Sequence, residues 1–390
     1  MTTIVDPGLF DYCTERQRVS LEAIAEHGSI RAAARALGVH FSGLQGAFKA
    51  VQKKAALSGY SPQHDMRRTV PDGYVVKGVS TYYDQDGKPR GQWVKSALDR
   101  QQQDDQLRAA AEALAGEVRG LAPLVAEPAG CHDDLLAVYP LGDPHFGLYS
   151  WAKEAGADFD LKEARRLTLG AVDRLVQAAP AAKTAILLPL GDVFHANDQT
   201  NQTPAHKHQL DVDSRFVHVL QVGIETFRHA VLRLLEKHAH VVVRFVVGNH
   251  DPQAVWALAF TIAAYFDAEP RVTVDLSPAR HWFYRFGSVL IGATHGDQSK
   301  AERLLGVMAC DKAEDWGQTK HRHWYCGHVH HSSVREFPGV TVETFRTLAA
   351  ADAYAAGHGY RAGRDMRCIV LHMEHGEVER HRCDVGMIAA

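Results

Sequence analysis

The chain has 390 residues, 46% of them hydrophobic and 23% charged, with a formal net charge of −3. That length favours two or three units with at least one sizeable core, and the balance is that of an ordinary globular protein with no global basic field for nucleic acid. Six scattered cysteines without a CxxC pair exclude a disulfide framework or a zinc ribbon, and the start MTTIVDPGLFDY has neither the charge nor the apolar run of a leader. With no bilayer-length apolar run, the expectation is a cytoplasmic protein with no membrane contact.

Residues 14–57 read as helices separated by short turns. TERQRVSLEAIAEHG stops at Gly28, Ser29 is an N-cap for SIRAAARAL, and Ser42 is the expected cap of SGLQGAFKAVQKKAAL. The spacing Ala34, Gly38, Leu44, Ala47 fits a helix-turn-helix, with Arg31, Arg35, Lys49, Lys53 and Lys54 as candidate DNA contacts. A protein-contact role for the same small unit is the alternative. Residues 61–130 read as a connector: turn signals around short strands, then a polar, alanine-rich linker helix over 100–121.

From about residue 131 to 390 apolar strands alternate with helices, which predicts an α/β domain whose sheet is covered on both faces. The expected strands include 135–141, 184–190, 240–247, 288–294 and 323–327, and the helices 163–179 and 213–238. Residue types that bind metals follow five of these strands. GDPHFG brings Asp143 and His145, GDVFHAND brings Asp192, and GNHD brings Asn249, His250 and Asp251. HGD brings His295, and GHVH brings His328 and His330. Loops at the carboxyl ends of strands converge on one crevice in α/β sheets, so groups spread over nearly two hundred residues can meet. Any one of these motifs is cheap by chance, but the ordered set is not.

On those motifs residues 131–390 resemble the calcineurin-like metallophosphoesterase family, whose pattern is DxH, GD, GNH(D/E), H and GHxH. The resemblance implies a four-layer α/β/β/α sandwich and a two-metal centre. Carried over by position, one ion takes Asp143, His145, Asp192 and His330, the other Asp192, Asn249, His295 and His328, with Asp192 bridging. Mixed carboxylates and imidazoles suit Mn²⁺ first, with Fe or Zn²⁺ as alternatives. His250 is implied to protonate the leaving oxygen, and Asp251 is expected to orient that imidazole. GDVFH is similar to the form of this motif in double-strand-break-repair nuclease subunits, which makes His195 a candidate contact near the scissile phosphate, with a rim histidine as the bland alternative.

Helix-turn-helix and phosphoesterase together resemble a layout encoded by tailed bacteriophages, which would place the protein in the host cytoplasm. Three functions follow: a metal-dependent DNA nuclease or phosphodiesterase, a phosphodiesterase or phosphatase for a cyclic nucleotide or other small molecule, or a DNA-binding assembly or regulatory protein with a vestigial site. The short C-terminus, with no room for a large DNA-capping domain, counts against the first. Further candidates are Asn201, His206, Lys207 and His208 as substrate contacts, a cationic rim of Lys300 and residues 320–323, and base stacking by Tyr149 and Trp151. A solvated loop, a strand entry and core packing are the respective alternatives.

Overall fold

The computed structural model describes residues 5–67, 74–86, 88–98 and 116–388. The chain divides into two compact units, Met1–Asp105 and Gln106–Ala390. Most of the linker helix expected over 100–121 lies outside the described residues.

The first unit packs three helices, α1 (Glu15–His27), α2 (Ile30–Ala36) and α3 (Phe41–Leu57), around Leu21, Ile24, Ala33, Leu44, Phe48 and Val51. Its local chemistry follows the capping rules. Thr14 and Gln17 form a capping box on α1, Gly28 ends that helix in the left-handed region, and the Ser29 side chain accepts from Ala32 N. Ser42 is not the cap of α3. That place belongs to His40, whose Nδ1 accepts from Ser42 N, so an imidazole does the work expected of a hydroxyl. Arg31, Arg35, Lys49, Lys53 and Lys54 are all exposed. A hairpin of β1 (Tyr74–Tyr83) and β2 (Pro89–Leu98) falls in this unit. It is tied to the end of α3 by the Tyr83 hydroxyl on Ala56 O and the Gln92 amide on Gly59 O.

The second unit is built on two sheets. One has the order β13-β12-β3-β4-β5-β6, from β3 (His132–Leu141), β4 (Ala182–Pro189), β5 (His240–Val243), β6 (Val272–Val274), β12 (Asp365–His372) and β13 (Gly376–Asp384). The other has the order β10-β11-β9-β8-β7, from β7 (Trp282–Phe286), β8 (Val289–Thr294), β9 (His321–Cys326), β10 (Ser333–Phe337) and β11 (Val340–Thr344). The helices are α4 (Ala152–Ala155), α5 (Leu161–Ala178), α6 (Phe216–Leu235), α7 (Ala254–Tyr265), α8 (Ala301–Asp311), α9 (Ala313–Gln318) and α10 (Ala353–Gly357).

Alternation along the strands sorts side chains into layers. Leu136 and Val138 of β3 face Ile291, Ala293 and Tyr325 of the other sheet, while Ala137 and Tyr139 face α5, α6 and α7. The outer face of the second sheet is covered by Leu304 and Met308 of α8 against Leu290, Trp324 and Val342. The order of layers is therefore α/β/β/α, with the central strands of each sheet buried on both faces as their continuous apolar runs require. Each fully buried Leu, Ile or Val in these layers contributes about 2 kcal/mol.

Two short strands, β6 and β10, and the aromatic strand β7 carry weaker patterns than their neighbours. The strand expected over 240–247 stops at Val243, because its partner β6 ends at Val274. Beyond it, Arg244 N and Val246 N still donate to Leu187 O and Pro189 O, which carries the chain extended to the GNHD turn. Among the described residues no helix is long and apolar enough to cross a membrane.

Candidate metal centre

Strands β3, β4 and β5 run parallel, as do β8 and β9, so each sheet presents several carboxyl ends at one edge. Asp143 and His145 follow β3, Asp192 follows β4, and Asn249 and His250 follow the extension of β5. His295 follows β8, and His328 and His330 follow β9. Among the described residues eight that are not glycine have positive φ, and five of them are Asp143 (41°), His145 (46°), Asp192 (47°), His328 (69°) and His330 (54°). A left-handed backbone costs an L-residue about 1–2 kcal/mol, so this concentration marks a site over-determined by its surroundings.

Glycines make the close approach possible. A Cβ on Gly327 would lie 2.7 Å from Asp143 Oδ2 and 2.8 Å from Leu190 O, and one on Gly248 would collide with Asp192 Oδ1.

The side chains converge as three groups, each with ligand atoms within 4.8 Å of one another: Asp143, His145 and His330; His145, His195 and His250, which shares His145 with the first; and Asp192, His295 and His328. His145 Nε2 lies 3.1 Å from His330 Nε2, and His295 Nε2 lies 3.2 Å from Asp192 Oδ2 and 3.0 Å from Asn249 Oδ1. Atoms of the kinds that ligate metals thus crowd together at distances a divalent cation could bridge. The residues fit such an ion.

Neighbouring groups hold the ligands in orientation, as outer partners do in metal sites. Both Asp143 carboxylate oxygens accept from His328 N, at 3.0 and 2.9 Å. His250 N donates to Asp192 Oδ1 at 2.8 Å. His295 Nδ1 donates to Leu190 O at 2.8 Å, which leaves Nε2 to face Asp192 and Asn249.

Electrostatics agree with this division of roles. Burial alone would push the Asp192 carboxyl up, yet the His295 imidazole, then His250 and His145, hold it well below the usual carboxylate range. Burial, with His250, His330 and His195 close by, holds His145 well below the usual imidazole range, so it is neutral and has a lone pair to give. His295 goes the other way. Against the effect of burial, Asp192 and then Asp143 raise it to about 10.

His195 sits inside the site and not at its rim. It is 2% exposed, its ring stacks on His250 at 5.4 Å, and its Nδ1 is 3.3 Å from His145 Nδ1. Burial, followed by His250, lowers it to about 3, and its Nε2 is buried without a hydrogen-bond partner among the described residues.

Asp251 does not orient His250. Its Oδ2 accepts from Phe194 N at 3.0 Å, and burial together with the Asp192 charge raises it to about 8. The partner of His250 Nδ1 is His195 O, at 2.8 Å. A backbone carbonyl thus takes the place expected for a carboxylate.

Two contributors escaped the sequence reading. Asn197 is buried, and its Oδ1 accepts from Gln253 N (2.9 Å) and Ala254 N (3.1 Å) while its amide donates to Gln253 Oε1 (3.0 Å). It caps α7, whose own N-cap residue Gln253 makes no side-chain capping bond. Thr347 Oγ1 donates to Asp143 O at 2.6 Å. Asn197 has the right residue type for a cap, but it serves a helix more than fifty residues away, beyond any local spacing rule.

Among the remaining candidates, residues 320–323 lie at the amino end of β9, the opposite end of that strand from His328 and His330, so they form a strand entry and no rim. Arg322 lies over the Trp316 ring and donates to Trp316 O. Lys300 and the loop residues His206, Lys207 and His208 are exposed, and Asn201 is partly so.

No family model matches the chain, and no curated protein matches it. Among solved structures it is similar to a predicted phosphoesterase from Streptococcus pneumoniae, at 11% identity and a TM-score of 0.26, over 64% of this chain and 98% of that one. It is also similar to Vps29 complexed with Zn²⁺ from Entamoeba histolytica, at 13% identity and a TM-score of 0.28, over 64% and 99%. A third is the sulfate thiohydrolase SoxB from Thermus thermophilus, at 12% identity and a TM-score of 0.30, over 66% and 58%.

Proposed function

We propose that residues 131–390 hydrolyse phosphodiester bonds with two divalent ions, Mn²⁺ first among them, and that the substrate is DNA. The observation that supports this most is the adjoining pair of ligand groups, Asp143/His145/His330 and Asp192/His295/His328, with His250 against the first. Asn249 Oδ1 sits beside the second. When bound, two such ions supply Lewis-acid stabilisation of charge growing on phosphoryl oxygens and a water acidic enough to attack near neutral pH.

The chain's own residues do the rest. Asp143 and Asp192 are ligands held in place by backbone amides, and they bring negative charge that draws cations to the crevice. His250 keeps a proton on Nδ1 for His195 O, so Nε2 is the atom that exchanges a proton with the leaving oxygen. His195, stacked on that ring and walled off from water, keeps it from turning and presents a neutral imidazole toward the reacting phosphate.

DNA enters this reading through the first unit. The exposed side of α3 carries Lys49, Lys53 and Lys54, and α2 carries Arg31 and Arg35, with no acidic residue between 30 and 57. Five cations on two consecutive helices suit a row of phosphates.

The test is the full chain loaded with Mn²⁺ and assayed in parallel on double- and single-stranded DNA, RNA, cyclic nucleotides and bis(p-nitrophenyl) phosphate. Metal-dependent cleavage of DNA that is lost in Asp192→Ala is expected. Turnover of cyclic nucleotides with none of DNA would replace the substrate. Full activity in Asp192→Ala would overturn the metal mechanism.

A further inference from the structure

We infer that the walls of the metal centre continue outward into an aromatic track for an unpaired stretch of polynucleotide, formed by Tyr149, Trp151, Tyr354 and Tyr360 with Lys153 and Lys207 alongside. This rests on the phosphodiester reading above and names the form in which the substrate is held.

The two aromatic segments both start at the metal ligands. Leu148 N donates to His145 O at 3.0 Å, and the chain then runs through Tyr149, Ser150 and Trp151. Ser150 is buried, its hydroxyl shared between Ala157 O (2.9 Å) and Ala351 O (2.8 Å), so its neighbours on either side turn outward. Tyr149 is 46% and Trp151 49% exposed. The second segment begins at Thr347, bonded to Asp143 O, and reaches α10, which packs against α4. There Tyr354 is 63% and Tyr360 61% exposed, with the His358 ring 4.1 Å from the first and 6.1 Å from the second.

These rings are held on a fixed base. The Asp352 side chain caps α10 through Ala355 N, and Ser150 joins the two segments. Among the described residues, the large apolar side chains exposed over 146–160 and 350–362 are all aromatic, with no aliphatic one. Exposed ring faces of this kind match the faces of unstacked bases.

One cation stands over a ring, and a second belongs to a loop bonded to the same segment. Lys153 Nζ lies 5.4 Å from the Trp151 ring centre. Lys207 stands exposed in a loop closed by Leu210 N on Asn201 O, and that loop is joined to the track by Tyr149 N on Asp211 O at 3.1 Å. Phosphates between stacked bases would meet these side chains. Duplex DNA hides its base faces and gains nothing from the rings.

The experiment uses the full chain and phosphorothioate dT12, which resists hydrolysis, alongside an abasic phosphorothioate oligomer of the same length and a duplex. Affinity is read by anisotropy and ring contact by tryptophan fluorescence. We expect dT12 to bind about tenfold more tightly than the abasic oligomer, with quenching that disappears in Trp151→Phe while affinity stays within about twofold. Trp151→Ala and Tyr354→Ala should each weaken dT12 binding about tenfold and leave duplex binding as it was. Equal affinity for dT12 and the abasic oligomer, or quenching that survives in Trp151→Phe, would overturn the track. Hydrolysis of bis(p-nitrophenyl) phosphate, measured separately, decides the metal reading. Its failure with quenching intact would sink that reading and leave the track standing.

Discussion

Asn197→Ala removes a single buried side chain to which no motif assigns a role, and its cost can be worked from the contacts. Helix α7 has no side-chain cap of its own, so the Asn197 carbonyl is what satisfies Gln253 N and Ala254 N. Losing an N-cap side chain costs about 1 kcal/mol. A second stranded amide in a buried loop adds about 1 kcal/mol more, and the lost bond to Gln253 Oε1 brings the sum to about 2–3 kcal/mol. In a unit of this size that corresponds to a fall in Tm of about 3–5 °C.

The same loop carries Asn249 and His250, so the catalytic geometry loosens as well. A misplacement near 1 Å costs about a hundredfold, and a fraction of that shift gives a fall in kcat of about tenfold with KM little changed. Urea denaturation and hydrolysis of bis(p-nitrophenyl) phosphate at saturating Mn²⁺ measure the two effects. Asn197→Asp, which keeps both acceptor bonds, should fall between wild type and Asn197→Ala in stability. A variant Asn197→Ala within about 0.5 kcal/mol of wild type and with full kcat would refute the clamp.

Four other outcomes are expected. Mn²⁺ at about a hundred times its Kd should stabilise the second unit by about 2.7 kcal/mol for each ion bound, and Asp192→Ala should lose that gain in a thermal scan. Gly327→Ala, whose Cβ would press on Asp143 and Leu190 O, should keep its far-UV circular dichroism but lose Mn²⁺ binding by calorimetry. Burial, despite a bond to Ala182 O, lowers His238 to about 4, so the unfolded chain takes up its proton first as the pH falls. The stability it contributes is complete above about pH 6.5 and is lost between there and about pH 4, by up to about 3 kcal/mol, and Tm against pH should flatten across that window in His238→Gln. Replacing Lys49 and Lys53 together by Ala should weaken duplex binding at low salt and reduce the salt slope by about 2, as read by anisotropy titrations.

Much of this was legible in the sequence because metal ligands at strand ends are punctuated by glycines and separated by apolar runs. Asp143, His145, Asp192, Asn249, His295, His328 and His330 are brought together in two adjoining groups. What escaped is non-local. The cap on α7 comes from Asn197, the partner of His250 is a carbonyl that no side-chain pattern encodes, and Asp251 turns toward Phe194 N. The cap of α3 went to His40 because an imidazole nitrogen accepts as well as a hydroxyl does. Strands β6, β7 and β10 are three to five residues long, too short for alternation to stand out.

The division of the ligands between two sheets has a consequence for assembly. Asp143, Asp192 and Asn249 belong to one sheet, and His295, His328 and His330 to the other. His145 and His330 meet across 185 residues of sequence. Neither half of the sandwich owns a complete ion site, so capture of the ions must wait until the apolar faces of the two sheets have closed on each other. Metal uptake is then a clock for the last long-range step of folding: circular dichroism should recover first, and tight Mn²⁺ binding only when the sandwich has shut.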